Sequence, residues 1–524
     1  MAATRSRREF LADVGRGTLI ASVGSALAAD LGLAASSALA AGAPPTLSFG
    51  SLDPLVALMQ ETPLDKLLPA LVGKLKAGTE LRELVAAAAF ANARTFGGED
   101  YVGFHTMMAL APAYHMAKDL PADAAPLPVL KVLYRNTNRI GQVGGRKNET
   151  LHPVEPSEGV ATGAKGAEAL RDAVRAKDVD RAEKIFAALA GRGPDEAFND
   201  VLYAVHDHTE VHRVVLPYRA WDLMDLIGRE HAHALLRQSV RYCVKAEGWT
   251  NTSKEYDQPK ALLPKVLEEH HLLGREPGTK LGDDKWVEDL GRTIFTSSPE
   301  QAAGAAAAAL EEGFAPSCVG EAISLAANQL VLRDHGRPAE AEIAGKPIGS
   351  VHGDSIGVHA CDSANAWRNM ARAANARNAY ACLILGAYQV ALDRIQRGGD
   401  FLNWQPLPLP QHVAQVQSTD PASLLHDLDE AVRGNLQARA AAVVQRYGDL
   451  GHEPRKAFDL MLKYAVTEDG SLHAEKFYRT TCEEFAASRP AFRGRQLVAL
   501  ARVTASEYGR PAPGVAEARE LLKA

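Results

Sequence analysis

Apolar residues recur at three-and-four spacing through most of this chain, and runs of alternating β-branched residues are almost absent. The pattern predicts amphipathic helices from Leu64 to Ala93, Ala167 to Leu189, Gln301 to Glu312 and Glu321 to Leu332. It predicts more from Ser363 to Arg397, Pro421 to Tyr447, Pro454 to Ala465 and Gly494 to Tyr508. Glycine and proline stand where such helices should stop, as at Gly191-Arg192-Gly193-Pro194 and Gly274-Arg275-Glu276-Pro277-Gly278. The expected fold class is therefore all-α, a large multi-helix globular domain. Two stretches, Tyr134 to Val160 and Gly398 to Pro421, are too rich in Gly and Pro to continue the pattern and are expected to be irregular.

Composition narrows the partners. The 524 residues carry a formal charge of −6, and an acidic surface repels the phosphates of a nucleic acid. No segment after residue 40 is apolar for long enough to span a bilayer, so no stable membrane span is expected. The Gly144-Gly145-Arg146-Lys147 turn lacks the preceding strand and following Gly-Lys-Ser/Thr of a phosphate loop, so no nucleotide cofactor is expected. Cys243, Cys318, Cys361, Cys382 and Cys482 form no Cys-x-x-Cys pair, which removes zinc ribbons and dithiol redox chemistry.

The amino terminus has a separate character. Ser6-Arg7-Arg8-Glu9-Phe10-Leu11 resembles the twin-arginine export signal, with Ala12 where a Lys is usual. A mildly apolar stretch from Thr18 to Ala40 follows, interrupted by Asp30, and Ala38-Leu39-Ala40 has the small-x-small form of a signal-peptidase site. The resemblance implies a cleavable signal over residues 1–40; the helical pattern then gives an all-α domain over 41–524, with an internal division expected near 280–300. The resemblance also implies the twin-arginine export machinery as a partner, folding before transport, and a periplasmic or secreted location.

Candidate chemistry lies in the 17 histidines. His206, His208, His212, His231 and His233 fall close together. On a continuous helix from Asn199 to Pro217, His208 and His212 share the apolar stripe of Val201, Val205 and Val215. Imidazoles four apart on a helix point two ring nitrogens at one spot, a geometry a metal ion uses. Thr209 after His208 excludes the His-Glu-x-x-His zinc protease motif. A second cluster holds His352 and His359, seven apart, with Gly353 and Gly357 permitting close approach; a helix starting after a cap at Asp354 would leave His352 in a loop. His105 opens a third candidate helix. His115, His152, His335, His412, His426, His452 and His473 are read as core or surface residues. Arg213, Arg219, Arg237 and Arg241 are open to either anion binding or surface charge.

Three of these helices begin alike: HTMMALAPAYHMA from His105, HRVVLPYRAWDLM from His212, and HACDSANAWRNMA from His359. In this the chain resembles the questin oxidase-like proteins, helical proteins with several His-initiated helices, some of which oxidise aromatic polyketides. The resemblance implies an all-α oxidoreductase. The family's association with NADPH fits an exported protein poorly.

These readings together give an exported, metal-dependent oxidoreductase or oxygenase acting on a small-molecule substrate. His208, His212 and His352 are the expected ligands, and His105 and His359 the expected catalytic residues. The metal would be a transition metal, with iron, copper and zinc all suited to imidazole. The rival expectations are a non-catalytic helical binding or scaffold protein, and a metal-free lyase or hydrolase with a histidine base.

Overall fold

The computed structural model describes residues 45–248, 258–342, 348–351, 355–396 and 399–523. The expected export signal and His352 lie outside the described residues. Among those described, the chain forms 23 α-helices, and the only β pairing is two isolated bridges, Lys280 with Phe314 and Glu468 with Pro511. The all-α expectation holds. Among the described residues no helix is long and apolar enough to cross a membrane. All five cysteines are free thiols, four of them buried.

Several of the long periodic runs are helical hairpins. Leu64 to Ala93 divides into Leu64–Lys76 and Leu81–Phe96, and Ala167 to Leu189 falls within Ala164–Arg175 and Val179–Ala190. Pro421 to Tyr447 divides into Pro421–Arg433 and Gln437–Asp449. Each turn contains one residue in the left-handed region, Gly78 (φ 96°), Lys177 (φ 59°) and Asn435 (φ 52°), which ends the first helix and frees the chain to reverse. The irregular stretch expected from Tyr134 begins later, because the Leu127–Gln142 helix runs past it.

Burial follows composition. Every residue from Leu84 to Phe96 is buried, as is every residue from Asn378 to Asp393 in the Ala376–Gln396 helix. Helices that are apolar or small on all faces are stable only when surrounded. Four other helices form the middle of the molecule: Tyr101–Lys118, Val211–Ile227, Ile356–Ala373 and His473–Ala487. Each packs on two of the others, so that the four close a ring. Each is also backed by helices near it in sequence. Leu81–Phe96 and Leu127–Gln142 flank the first, and Ala232–Ala246 lies against the second. Pro316–Arg333 and Ala376–Gln396 flank the third, and Pro454–Thr467 and Pro490–Glu507 the fourth.

The four central helices run parallel. Along one interface His359 meets His473, Asp362 meets Thr480, and Asn365 and Arg368 meet Glu484, residue numbers rising together. Along another, His105 meets His212 and His115 meets Asp222. Arg219 likewise reaches Thr480, and Tyr218 donates to Glu483. Parallel neighbours need long crossovers, which the flanking helices supply. All four amino-terminal ends therefore stand at one end of the bundle.

Candidate histidine site

Each central helix brings a histidine to that end. Asp100 caps the first helix by accepting from the Gly103 amide at 2.8 Å and is itself held by Arg139. That fixes the first turn, and His105 lies on it with Nδ1 2.7 Å from the Tyr101 carbonyl. Glu210 caps the second helix, its carboxylate accepting from the His212 and Arg213 amides at 3.1 Å each. The same carboxylate sits 2.5 Å from His212 Nδ1 and accepts from the Tyr242 hydroxyl at 2.7 Å. Ser355 caps the third helix through the Val358 amide, which sets His359 in its first turn. Before the fourth, Ser471 and Leu472 take left-handed φ values of 50° and 69°, costly for residues with side chains. Lys131 fastens this bend by donating to the carbonyls of Ala465 and Glu468, and His473 is the first residue beyond it.

The four imidazoles meet as two pairs. His105 Nε2 is 3.2 Å from His212 Nε2, and His359 Nε2 is 3.2 Å from His473 Nε2. Ring centroids close the circuit at 5.3 Å between His105 and His473 and 6.0 Å between His212 and His359. Among the described residues, no group of three or more His, Cys, Asp or Glu is set to hold a single metal ion. The pairs are the unit here.

Tautomers follow from the partners. The Tyr101 carbonyl can only accept, so His105 carries its proton on Nδ1 and presents a lone pair at Nε2. His212 donates its Nδ1 proton to Glu210, which is ionised. Burial would raise the Glu210 carboxyl, but the His212 charge and the hydrogen bonds from His212 and Tyr242 outweigh it and hold it well below its ordinary range. With His212 neutral, two lone pairs face each other across 3.2 Å and suit a cation; with His212 protonated, its Nε2–H donates to His105. A proton is disfavoured on His105, whose pKa is pushed well below the ordinary value by burial first, then by the charges of Lys476 and His212. The separation is close to the roughly 3.3 Å between two nitrogens that share a tetrahedral metal at about 2.0–2.1 Å.

Phe104 lies against both His105 and His212, with centroids at 5.0 and 4.9 Å, and Tyr101 packs on His105 at 4.5 Å. His105 and His473 are 4% and 5% exposed, whereas Tyr101 is 57% exposed, so the cluster lies just under the surface. Below the histidines is a charged layer. Thr480 donates to Asp362 at 2.9 Å, Arg219 reaches Thr480 at 3.4 Å, and Lys476 stands on the same helix face between His473 and Thr480.

The structure thus joins three of the residues singled out from sequence, His105, His212 and His359. His208 is placed differently. The continuous helix expected from Asn199 to Pro217 breaks into Pro194–Val205 and Val211–Ile227, so His208 and His212 are not one helical turn apart. Polar side chains take the backbone groups at the break: His208 Nδ1 accepts from the Glu210 amide at 3.0 Å, while Glu210 caps the next helix. Reading His473 as a core or surface residue missed the fourth member. The signal was there, since HAEKFYRTTCEEF is another His-initiated helix behind a Gly-Ser turn. His231 and His233 serve packing, against Phe90 and Phe186. The arginines are not surface charges: Arg213 pairs with Glu247, Arg237 with Glu183, and Arg219 with Asp222 and Glu483, all three guanidinium groups being buried.

Comparison with protein families, curated proteins and solved structures finds no match. The histidine geometry carries the functional argument alone.

Proposed function

We propose that this chain is a metal-dependent enzyme, an oxidoreductase acting on a small organic substrate. His105, His212, His359 and His473 are its metal-binding residues. The observation that carries the reading is the pair of 3.2 Å Nε2 contacts, with the Nδ1 protons of His105 and His212 committed away from them. Four histidines from helices far apart in sequence turn their Nε2 atoms towards one another in a buried place, where polar groups are kept only with partners. The carboxylate behind His212 is the usual means of fixing a ligand's tautomer and raising its basicity. An all-imidazole set suits iron, copper or zinc, and the first two supply one- or two-electron chemistry when bound. Tyr101 and Phe104 give a substrate an aromatic wall beside the site. His208 is not one helical turn from His212 and His352 lies outside the described residues; the proposal takes His105 and His359, expected as catalytic residues, as ligands.

Metal analysis of protein expressed with ample iron, copper and zinc tests the proposal. About one equivalent or more per chain is expected in the wild type, falling at least roughly tenfold in a His105→Gln/His473→Gln variant of unchanged circular dichroism. Less than about a tenth of an equivalent in the wild type would overturn the metal reading. Zinc as the native metal would overturn the oxidoreductase class alone.

A further inference from the structure

Lys476 is 3% exposed; no ion pair within 4 Å joins its ammonium to a described residue, and the carboxylates whose charge reaches it are Asp362 and Glu475, against Arg219. Its obvious neighbours are committed elsewhere. Glu475 pairs with Lys131 at 2.6 Å, Glu484 with Arg368 at 2.5 Å, and Asp362 accepts from Thr480. A buried ammonium without a direct counter-ion is expensive, and folding retains one where something else answers its charge. It stands on the interior face of its helix, one turn below His473 and one turn above Thr480, between the imidazoles and the Arg219–Asp362 layer.

Two further features make this end of the bundle positive. Four parallel helices direct their amino-terminal ends here, each worth roughly half a positive charge near its first turn. Arg219 is fully buried a turn deeper, though offset by Asp222 and Glu483. A metal ion held by either histidine pair would add its charge to this set.

We infer that Lys476 and the four histidines together form a subsite for an anionic oxygen, and that the substrate class is small organic oxyanions. A carboxylate, an enolate and a phenolate share that chemistry. The inference rests on the metal reading for its catalytic meaning but not for the anion site itself. Lys476 would hold the oxygen by charge-assisted hydrogen bonding while Asp362, whose charge acts on the lysine, limits the net positive charge.

Azide is the probe, titrated calorimetrically into metal-loaded and metal-free protein. In the metal-loaded wild type it should bind at least about tenfold more tightly than in Lys476→Met, at equal metal content. Asp362→Asn should shift affinity the other way, towards tighter binding, which damage to the fold would not produce. Equal azide affinity in the wild type and Lys476→Met overturns the anion subsite whatever the metal content, and so does unchanged or weaker binding in Asp362→Asn. Wild-type protein that holds no metal but binds azide in a Lys476-dependent way overturns the metal reading and leaves the subsite standing.

Discussion

His105 and His233 are both imidazoles packed on phenylalanine rings, with centroids 5.0 and 5.8 Å away, and both have a lowered pKa. They differ in what faces the ring nitrogens. His105 spends Nδ1 on its own helix and turns Nε2 to another histidine, whereas His233 stands beside the Arg237–Glu183 pair in an outer layer, held neutral down to about 4 by burial. Burial alone does not mark a site; a converging second nitrogen does. Asp200 shows the cost of burial without convergence. Its carboxyl is 7% exposed and is pushed up to about 6 by burial, against an ordinary 3.8, with Arg192 opposing only in part. The native state therefore holds the Asp200 proton more tightly than the unfolded chain does. Its burial penalty is absent below about pH 4 and complete above about pH 6, so stability falls as pH rises through that window. Asp200→Asn should remove this fall, which urea midpoints between pH 4 and 7 would show; a fall of unchanged size would refute the assignment.

At the scale of the element, the decisive residue is Glu210. It caps the Val211–Ile227 helix with one carboxylate and orients His212 with the same group, so helix start and imidazole orientation are one structure. Glu210→Ala should cost about 1 kcal/mol of stability as a lost cap, and about ten- to hundredfold in metal affinity as a lost imidazole partner. Glu210→Gln keeps an acceptor for the backbone and should recover most of the stability but not the affinity. Chemical denaturation with competitive chelator titration separates the two effects, and a Gln variant with full metal affinity would show that the carboxylate charge is irrelevant. A second element-level feature is Gly357 in the Ile356–Ala373 helix. A Cβ there would stand 2.6 Å from the Val331 amide nitrogen, so close backbone packing on Pro316–Arg333 is what its glycine permits.

Across the whole molecule, the four central helices are contributed in chain order, each set among its own neighbours, and the site exists only where all four meet. The His105–His212 and His359–His473 contacts link residues 107 and 114 apart. Such a site is complete only after global folding, and a metal bound there stabilises the folded chain alone. We propose that the twin-arginine resemblance of residues 6–11 has its physical counterpart here, since export after folding lets the site be loaded in the cytoplasm. Replacing Arg7 and Arg8 by Lys should leave the protein inside the cell, still holding its metal. Export undiminished in that variant, read by fractionation and immunoblotting, would refute the route.

The sequence by itself determined the helices and three of the four histidines. A 3.6-residue period is a local property, legible wherever one face of a helix is buried, and the runs opening at His105, His212 and His359 are visible in the sequence. It could not determine where a period crosses a tight turn, because the apolar rhythm of 64–93 continues through Gly78 while the chain reverses. Nor could it show that His206 to Glu210 would unwind, since that depends on His208 and Glu210 capturing backbone amides that a helix would also have satisfied. Only the tertiary structure decided which histidines face one another. His473 enters the site because Lys131, more than 330 residues away, fastens the bend before it. Local pattern sets which face of a helix is buried; the packing of distant helices sets what that face meets.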